Sequence, residues 1–235
     1  MNKIKVREIF LMSSIGAHEN IIKFHGWIEK PHCIKIIVEY LRGGDLKKYI
    51  KPDTLSAKQK VKVVLDVSKG LQHIHKAGII HRDIKAGNIS IDKEIKGDET
   101  DFTAKIYDFG VSIDQDIQGP TTGIVGTCKY KAPEQSHGQN YTSKVDIFAF
   151  AIMTFEIFSE IEAYSDSKLK RLNETQLKMK ISQTGLRPNK FVKPTIDTPE
   201  EIIKMYERNW DINPENRMDA DELVATLEKI YSSTN

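Results

Sequence analysis

The sequence predicts an α+β fold of two unequal lobes, a small one of one helix and two strands and a larger one that is mostly helical. Three observations predict it. A helical stretch over residues 3 to 16 is followed by two β-like runs, Ile21 to Ile28 and Cys33 to Tyr40. Arg42-Gly43-Gly44-Asp45 then breaks the pattern, and the apolar spacing beyond it is chiefly helical. Finally, Val145 to Phe158 is apolar on nearly all sides, as suits the buried central helix of a large domain.

The elements follow in order. Ile4, Leu11, Met12 and Ile15 give the first helix an approximate apolar face, and Glu29-Lys30-Pro31-His32 reads as the hairpin turn between the strands. The break at Gly43-Gly44 sets the expected boundary between a small lobe, residues 1–44, and a large lobe, residues 45–235. From Ser56 to Ala77, the positions Val61, Val64, Leu65, Leu71 and Ile74 keep near-helical spacing. Short strands are expected at Ile89 to Ile91 and Ala104 to Tyr107, joined by a charged loop. Thr198-Pro199-Glu200-Glu201 places an N-cap Thr before Pro at the first helical position, and Asp219 offers a second cap ahead of Leu223 to Tyr231.

Composition excludes several function classes. Across 235 residues, 35 Lys+Arg nearly balance 33 Asp+Glu, which argues against binding nucleic acid or an acidic membrane by bulk charge. Cys33 and Cys128 are the two cysteines, a count that fits a reducing, intracellular compartment. The first residues hold no apolar stretch of signal-peptide type, and the run from Val145 to Phe158 contains Asp146 and Glu156 and is too short to span a bilayer. The expectation is a cytoplasmic protein with no membrane span and no nucleic-acid partner.

The chemistry concentrates in three motifs: His81-Arg82-Asp83-Ile84-Lys85-Ala86-Gly87-Asn88, then Asp108-Phe109-Gly110, then Ala132-Pro133-Glu134. Each short motif is common by chance; the ordered set is not. In this order they resemble the catalytic loop, metal loop and segment end of the eukaryotic protein kinase superfamily, with Ile84 in place of Leu. That resemblance implies phosphoryl transfer from ATP, where catalysis is mostly positioning and electrostatic stabilisation. It implies that Asp83 accepts or orients the proton of the substrate hydroxyl, that Asn88 and Asp108 hold Mg²⁺, and that Lys85 sets a cation beside the transferred group. Lys85 and the pair Gly126-Thr127 resemble Ser/Thr kinases rather than tyrosine kinases. Trp210 to Arg217, with Leu186-Arg187-Pro188, resembles the tyrosine-kinase-like group of Ser/Thr kinases.

Further positions are carried over from the same resemblance. Val38 would be the gatekeeper, although it reads equally well as a core residue; the backbone of Glu39 and Leu41 would meet adenine, and Asp45 the ribose. Glu8 matches the glutamate of the small-lobe helix, and Met12, Phe24, His81 and Phe109 would stack as an apolar column. Glu134 and Arg217 match a buried ion pair of the large lobe, and Asp146 an aspartate that braces the catalytic-loop backbone. Arg82 implies an activation segment ordered by phosphorylation, with Thr121 or Thr122 as acceptor for an upstream activating kinase.

The sequence also departs from the family. No Gly-rich strand-turn-strand and no Lys-bearing strand precede Glu8, and Lys3 and Lys5 lie too close to it to come from such a strand. Glu8 is therefore expected to lack a Lys partner, the two strands to leave an open edge, and the chain to be an N-terminally truncated kinase or an incomplete gene model. Ser90 replaces an apolar residue at the floor of the adenine pocket, and Ala151 stands where the buried helix usually has Gly. The leading expectation is a protein Ser/Thr kinase domain; the alternative is a pseudokinase that uses the fold as an interaction module.

Overall fold

The computed structural model describes residues 3–31, 33–114, 126–136, 141–188 and 192–234. The first helix, α1 (Lys3–Ile15), buries Leu11, Met12 and Ile15. Next come β1 (Phe24–Lys30) and β2 (Cys33–Val38), paired antiparallel from Phe24↔Val38 to Lys30↔Cys33 around the expected turn. A bulge interrupts the ladder between Phe24 and Gly26, and Gly26 takes it up at φ 145°, a conformation that suits a residue without Cβ. Among the described residues each of these strands has the other as its one sheet partner, which agrees with the expected open edge.

The first strand starts later than the sequence suggests, and the reason is informative. Ile21 and Ile22 are diverted to the large lobe, where Ile22 donates its N–H to Ile106 O at 2.9 Å and Ile106 donates to Asn20 O at 2.9 Å. Asn20 adds a side-chain bond from Nδ2 to Ala104 O. The apolar residues read as strand are thus a seam between lobes. At the other end, Glu39 N–H still bonds Lys23 O, and Tyr40 lies outside the ladder.

The large lobe is built on helices. α2 (Ala57–Lys76) opens with a capping box in which the Ser56 hydroxyl accepts from Gln59 N–H and the Gln59 carbonyl accepts from Ser56 N–H. Its buried face packs on the last helix, α7 (Ala220–Ser233), capped by Asp219 as expected. α4 (Lys144–Ser159), buried from Val145 to Ser159, also packs on α2, and α6 (Glu200–Asn209) packs against it. The expected cap of α6 is displaced by one residue: Pro199 takes the cap position and its carbonyl receives Ile202 N–H, while the Thr198 hydroxyl pairs with that of Thr195. Proline lacks the N–H, so it suits either site, and spacing alone could not choose. α3 (Pro133–Ser136) and α5 (Glu174–Gln183) complete the described helices.

Two small antiparallel sheets lie over this core and carry the loops of interest. β3 (Gly44–Asp45), β5 (Ile89–Ile91) and β6 (Ala104–Ile106) form one, in that pairing order; β4 (Ile79–Ile80) and β7 (Ile113–Asp114) form the other. The expected α+β architecture, a strand-bearing small lobe and a helical large lobe, is observed. Among the described residues no helix is long and apolar enough to cross a membrane.

Candidate active site

The loop from His81 to Asn88 leaves β4 and enters β5, so both ends are fixed in buried strands. Its backbone is fixed from below by Asp146 on α4. This carboxylate has no exposed surface and accepts His81 N–H and Arg82 N–H, each at 2.8 Å, and His75 Nε2 at 2.9 Å. Burial alone would raise its pKa, but the bond and charge of His75, with the His81 contacts, hold it below the usual carboxylate range. His81 is itself held low by burial and packs edge-on to Phe109, with ring centroids 5.0 Å apart. Arg82 adopts φ 69°, a left-handed conformation that the two Asp146 bonds help to stabilise.

Above this brace, Asp83, Lys85, Asn88 and Thr127 form one hydrogen-bonded cluster. Asp83 Oδ1 accepts from the backbone N–H and the hydroxyl of Thr127, both at 2.9 Å. Oδ2 accepts from Lys85 Nζ at 2.6 Å and Asn88 Nδ2 at 2.9 Å, and Lys85 Nζ also donates to Thr127 Oγ1 at 2.8 Å. Burial pushes the Asp83 carboxyl upward, yet Lys85 first and Thr127 next outweigh it and hold the group below its ordinary range. Gly126 explains how Thr127 comes so close. Its φ is 88°, and a Cβ there would stand 2.5 Å from Arg82 O, so a side chain would push the strand of contacts apart.

Asp108 stands outside that cluster, exposed and at φ 67°, with Oδ1 accepting the Gly110 N–H at 3.2 Å. Both groups that Asn88 touches, Asp83 O and Asp83 Oδ2, are acceptors, so its amide nitrogen faces them and Oδ1 faces away. A neutral carbonyl oxygen and an exposed carboxylate are donors of the kind that a hard divalent cation takes. Glu8 is buried beside the same loop, its Oε2 3.9 Å from where a Gly110 Cβ would lie. The expectation that Glu8 lacks a lysine is corrected: Lys5, one turn earlier on α1, donates to Glu8 Oε2 at 2.7 Å.

The remaining predicted positions line the junction of the lobes. Val38 ends β2 half-buried against the core, Leu41 O receives Gly44 N–H, and Asp45 Oδ1 lies 3.0 Å from the Tyr107 hydroxyl. Glu39 is occupied from both sides, since its Oε1 accepts from the large-lobe Lys105 Nζ at 2.8 Å and from the neighbouring Lys23 N–H at 2.7 Å. Ser90 is buried and pairs with Asp45 across the sheet. Met12, Phe24 and Phe109 wall a common cavity of about 310 Å³, and of the expected column the ring contact between His81 and Phe109 is observed. Glu134 and Arg217 form the expected buried pair, at 2.6 and 3.0 Å. Thr121 and Thr122 lie outside the described residues.

Sequence reasoning missed several partners. His75 sits in the last turn of α2, Ser112 Oγ donates to His81 O at 3.1 Å, and Tyr107 OH donates to Gly87 O at 2.6 Å. Tyr130 OH donates to the buried Glu156 Oε2 at 2.6 Å. Each is a contact between segments distant in sequence, and no local pattern announces it.

Comparison with known proteins agrees with this geometry. The protein kinase domain family matches residues 1–227. The serine/threonine/tyrosine-protein kinase HT1 of Arabidopsis thaliana is 30% identical over 94% of this chain and 53% of its own length. The serine/threonine-protein kinase STY46 of the same plant is 28% identical over 98% of this chain and 37% of its own. The RGS domain-containing serine/threonine-protein kinase A of Dictyostelium discoideum is 32% identical over 98% and 19%. The chain thus spans about half the length of HT1 and a smaller share of the other two. A domain-wide match, together with the ordered loops and their contacts, means that this chain belongs to the protein kinase domain family.

Proposed function

We propose that the chain transfers the γ-phosphoryl group of ATP to Ser or Thr hydroxyls of proteins, and that Asp83, Lys85, Asn88, Asp108 and Thr127 carry the reaction. The observation that supports this most is the saturation of Asp83 by Thr127, Lys85 and Asn88 at hydrogen-bonding distance. An acceptor hydroxyl that displaces one of those donors would find a carboxylate held ionised and aimed by two fixed loops. Asp83 orients the hydroxyl and takes its proton late, because a carboxylate of low basicity gains the proton only as the new P–O bond develops. Lys85 neutralises charge gathering on the transferred oxygens, and Thr127 holds both Lys85 and Asp83 in register.

Family members use ATP and a divalent metal; here Asn88 and Asp108 would hold Mg²⁺, which supplies charge neutralisation of the phosphates. Val38, Glu39, Leu41 and Asp45 would border the adenosine, with Ser90 beneath it, and Glu8 would steady the phosphate side. Residues 1–44 would act as the small lobe and 45–235 as the large lobe, in the cytoplasm, with Thr121 or Thr122 as the site for an activating kinase. Incubating the protein with γ-labelled ATP, Mg²⁺ and a Ser/Thr peptide pool tests the central reading. Transfer should occur and fall by about 10²- to 10⁴-fold in Asp83→Asn. Transfer that Asp83→Asn leaves unchanged overturns the assignment, and nucleotide binding with no transfer at all favours the pseudokinase module.

A further inference from the structure

A cavity of about 330 Å³ opens immediately beside Lys85, Gly87 and Thr127, larger than an acceptor hydroxyl needs. Its walls carry Lys47, Lys129, Glu156 and Glu162. A second cavity, about 280 Å³, continues past Thr127 and Lys129, and Glu162 lines that one as well, with Lys170. Glu162 therefore stands where the two hollows meet, at the place a peptide must pass if its hydroxyl is to reach Asp83.

The charges there are not balanced in kind. Glu156 is turned away from any guest, because Tyr130 OH and Ala163 N–H already hold its two oxygens at 2.6 and 2.8 Å. Glu162 is different: its side chain is 57% exposed and held by a single bond from Lys129 Nζ, at 2.7 Å. That bond, with the charges of Lys129, Lys47 and Lys170, keeps its carboxyl below the usual range. Lys47 is exposed and makes no ion pair among the described residues. Three ammonium groups thus surround one half-exposed carboxylate, and that carboxylate shows what the groove accommodates.

We propose that this groove selects acceptor sites flanked by an acidic side chain, which takes the place of Glu162 on Lys129 and gains Lys47 in addition. The inference rests on the kinase reading above and names the substrate class for that site. Exchange of one ion pair for another costs little, since a partly exposed pair is weak and readily swapped. A basic neighbour meets Lys47, Lys85 and Lys129 together, so rejection of cationic sites is as much a part of the selection as attraction of acidic ones. Glu162 acts as an internal stand-in that keeps the lysines apart until a substrate arrives.

Short fluorescent peptides with one central Ser and flanking Glu, phosphoserine, Gln or Lys test this by anisotropy on the full chain, followed by kcat/KM for each. The Glu peptide should bind about three- to tenfold tighter than Gln, as one or two such ion pairs would give, with Lys weakest and the spread shrinking as salt rises. The phosphoserine arm tells whether the preferred anion is a carboxylate or an earlier phosphorylation. Lys129→Glu and Lys47→Glu should invert the order, and Glu162→Gln should tighten the Glu peptide. Equal binding of the Glu, Gln and Lys peptides, or an order untouched by the reversals, overturns the inference. Discrimination in binding without transfer would sink the catalytic reading alone; transfer to all peptides alike would sink this one alone.

Discussion

Glu156 shows how a single side chain can tie stability to pH. Only 2% exposed, it gains Tyr130 and Ala163 as donors, but burial dominates and pushes its pKa up to about 7 from 4.5. A folded-state pKa above the unfolded one means that folding favours the protonated form. The contribution is full below the unfolded value and is lost as pH climbs through the folded one. Glu156→Gln keeps an acceptor for Ala163 and offers Tyr130 an amide, so it should flatten the urea-measured stability between about pH 5 and pH 7.5. The wild type should lose on the order of 2–3 kcal/mol more than the variant over that range. Parallel curves for the two proteins would refute the account. This residue also marks a limit of sequence reading: Glu156 lay in plain view in the apolar run, but its partner Tyr130 arrives from a different loop. Asp83, Lys85, Asn88 and Thr127 were legible because a motif fixes their types and spacing. Lys5 is too near Glu8 to come from a preceding strand, as the sequence indicates, but one turn apart on a helix it is near enough to pair with it.

At the scale of elements, the end of one loop is joined to another through Glu134 on α3 and Arg217 just before α7. Arg217 is wholly buried; besides the Glu134 pair it donates to Asp211 O at 3.0 Å and Lys144 O at 3.1 Å, and its guanidinium lies 5.1 Å from the Phe148 ring centre. Removing Glu134 alone strands a buried cation, and Glu134→Ala should cost about 3–5 kcal/mol in denaturant unfolding. Glu134→Leu combined with Arg217→Met should recover part of that loss, because no charge is then left without a counterpart. Recovery should be incomplete, since the carbonyls of Asp211 and Lys144 lose a donor. A double variant less stable than the single one would refute this. Elements with internal periodicity, such as α2 and α4, were readable from sequence alone. The edges were not: the cap of α6 slipped from Thr198 to Pro199, where two residues serve the same end, and Ile21 left its expected strand because Ile106 offered it a backbone partner.

Across the whole molecule the lobes are joined by that seam at Asn20 to Ile22, by Lys105 to Glu39, and by α1 resting its Leu11, Met12 and Ile15 on a core shared with the large lobe. A boundary between lobes is suggested in the sequence by one glycine pair; the stitching is not visible there, because it depends on residues far apart in the chain meeting in space. The same holds for Asp146, whose anchoring of two loop amides has a consequence in time. Exposed loop amides trade hydrogen for deuterium through small local openings, whereas the His81 and Arg82 amides end inside a helix with no exposed surface along most of its length. Their release requires α4 to come apart, so they should exchange at the pace of global unfolding, with the protection of core amides. In Asp146→Ala those two amides should join the fast class, and fast exchange of both in the wild type would contradict the anchoring. The loop that must meet a moving substrate would then keep the slowest clock in the protein.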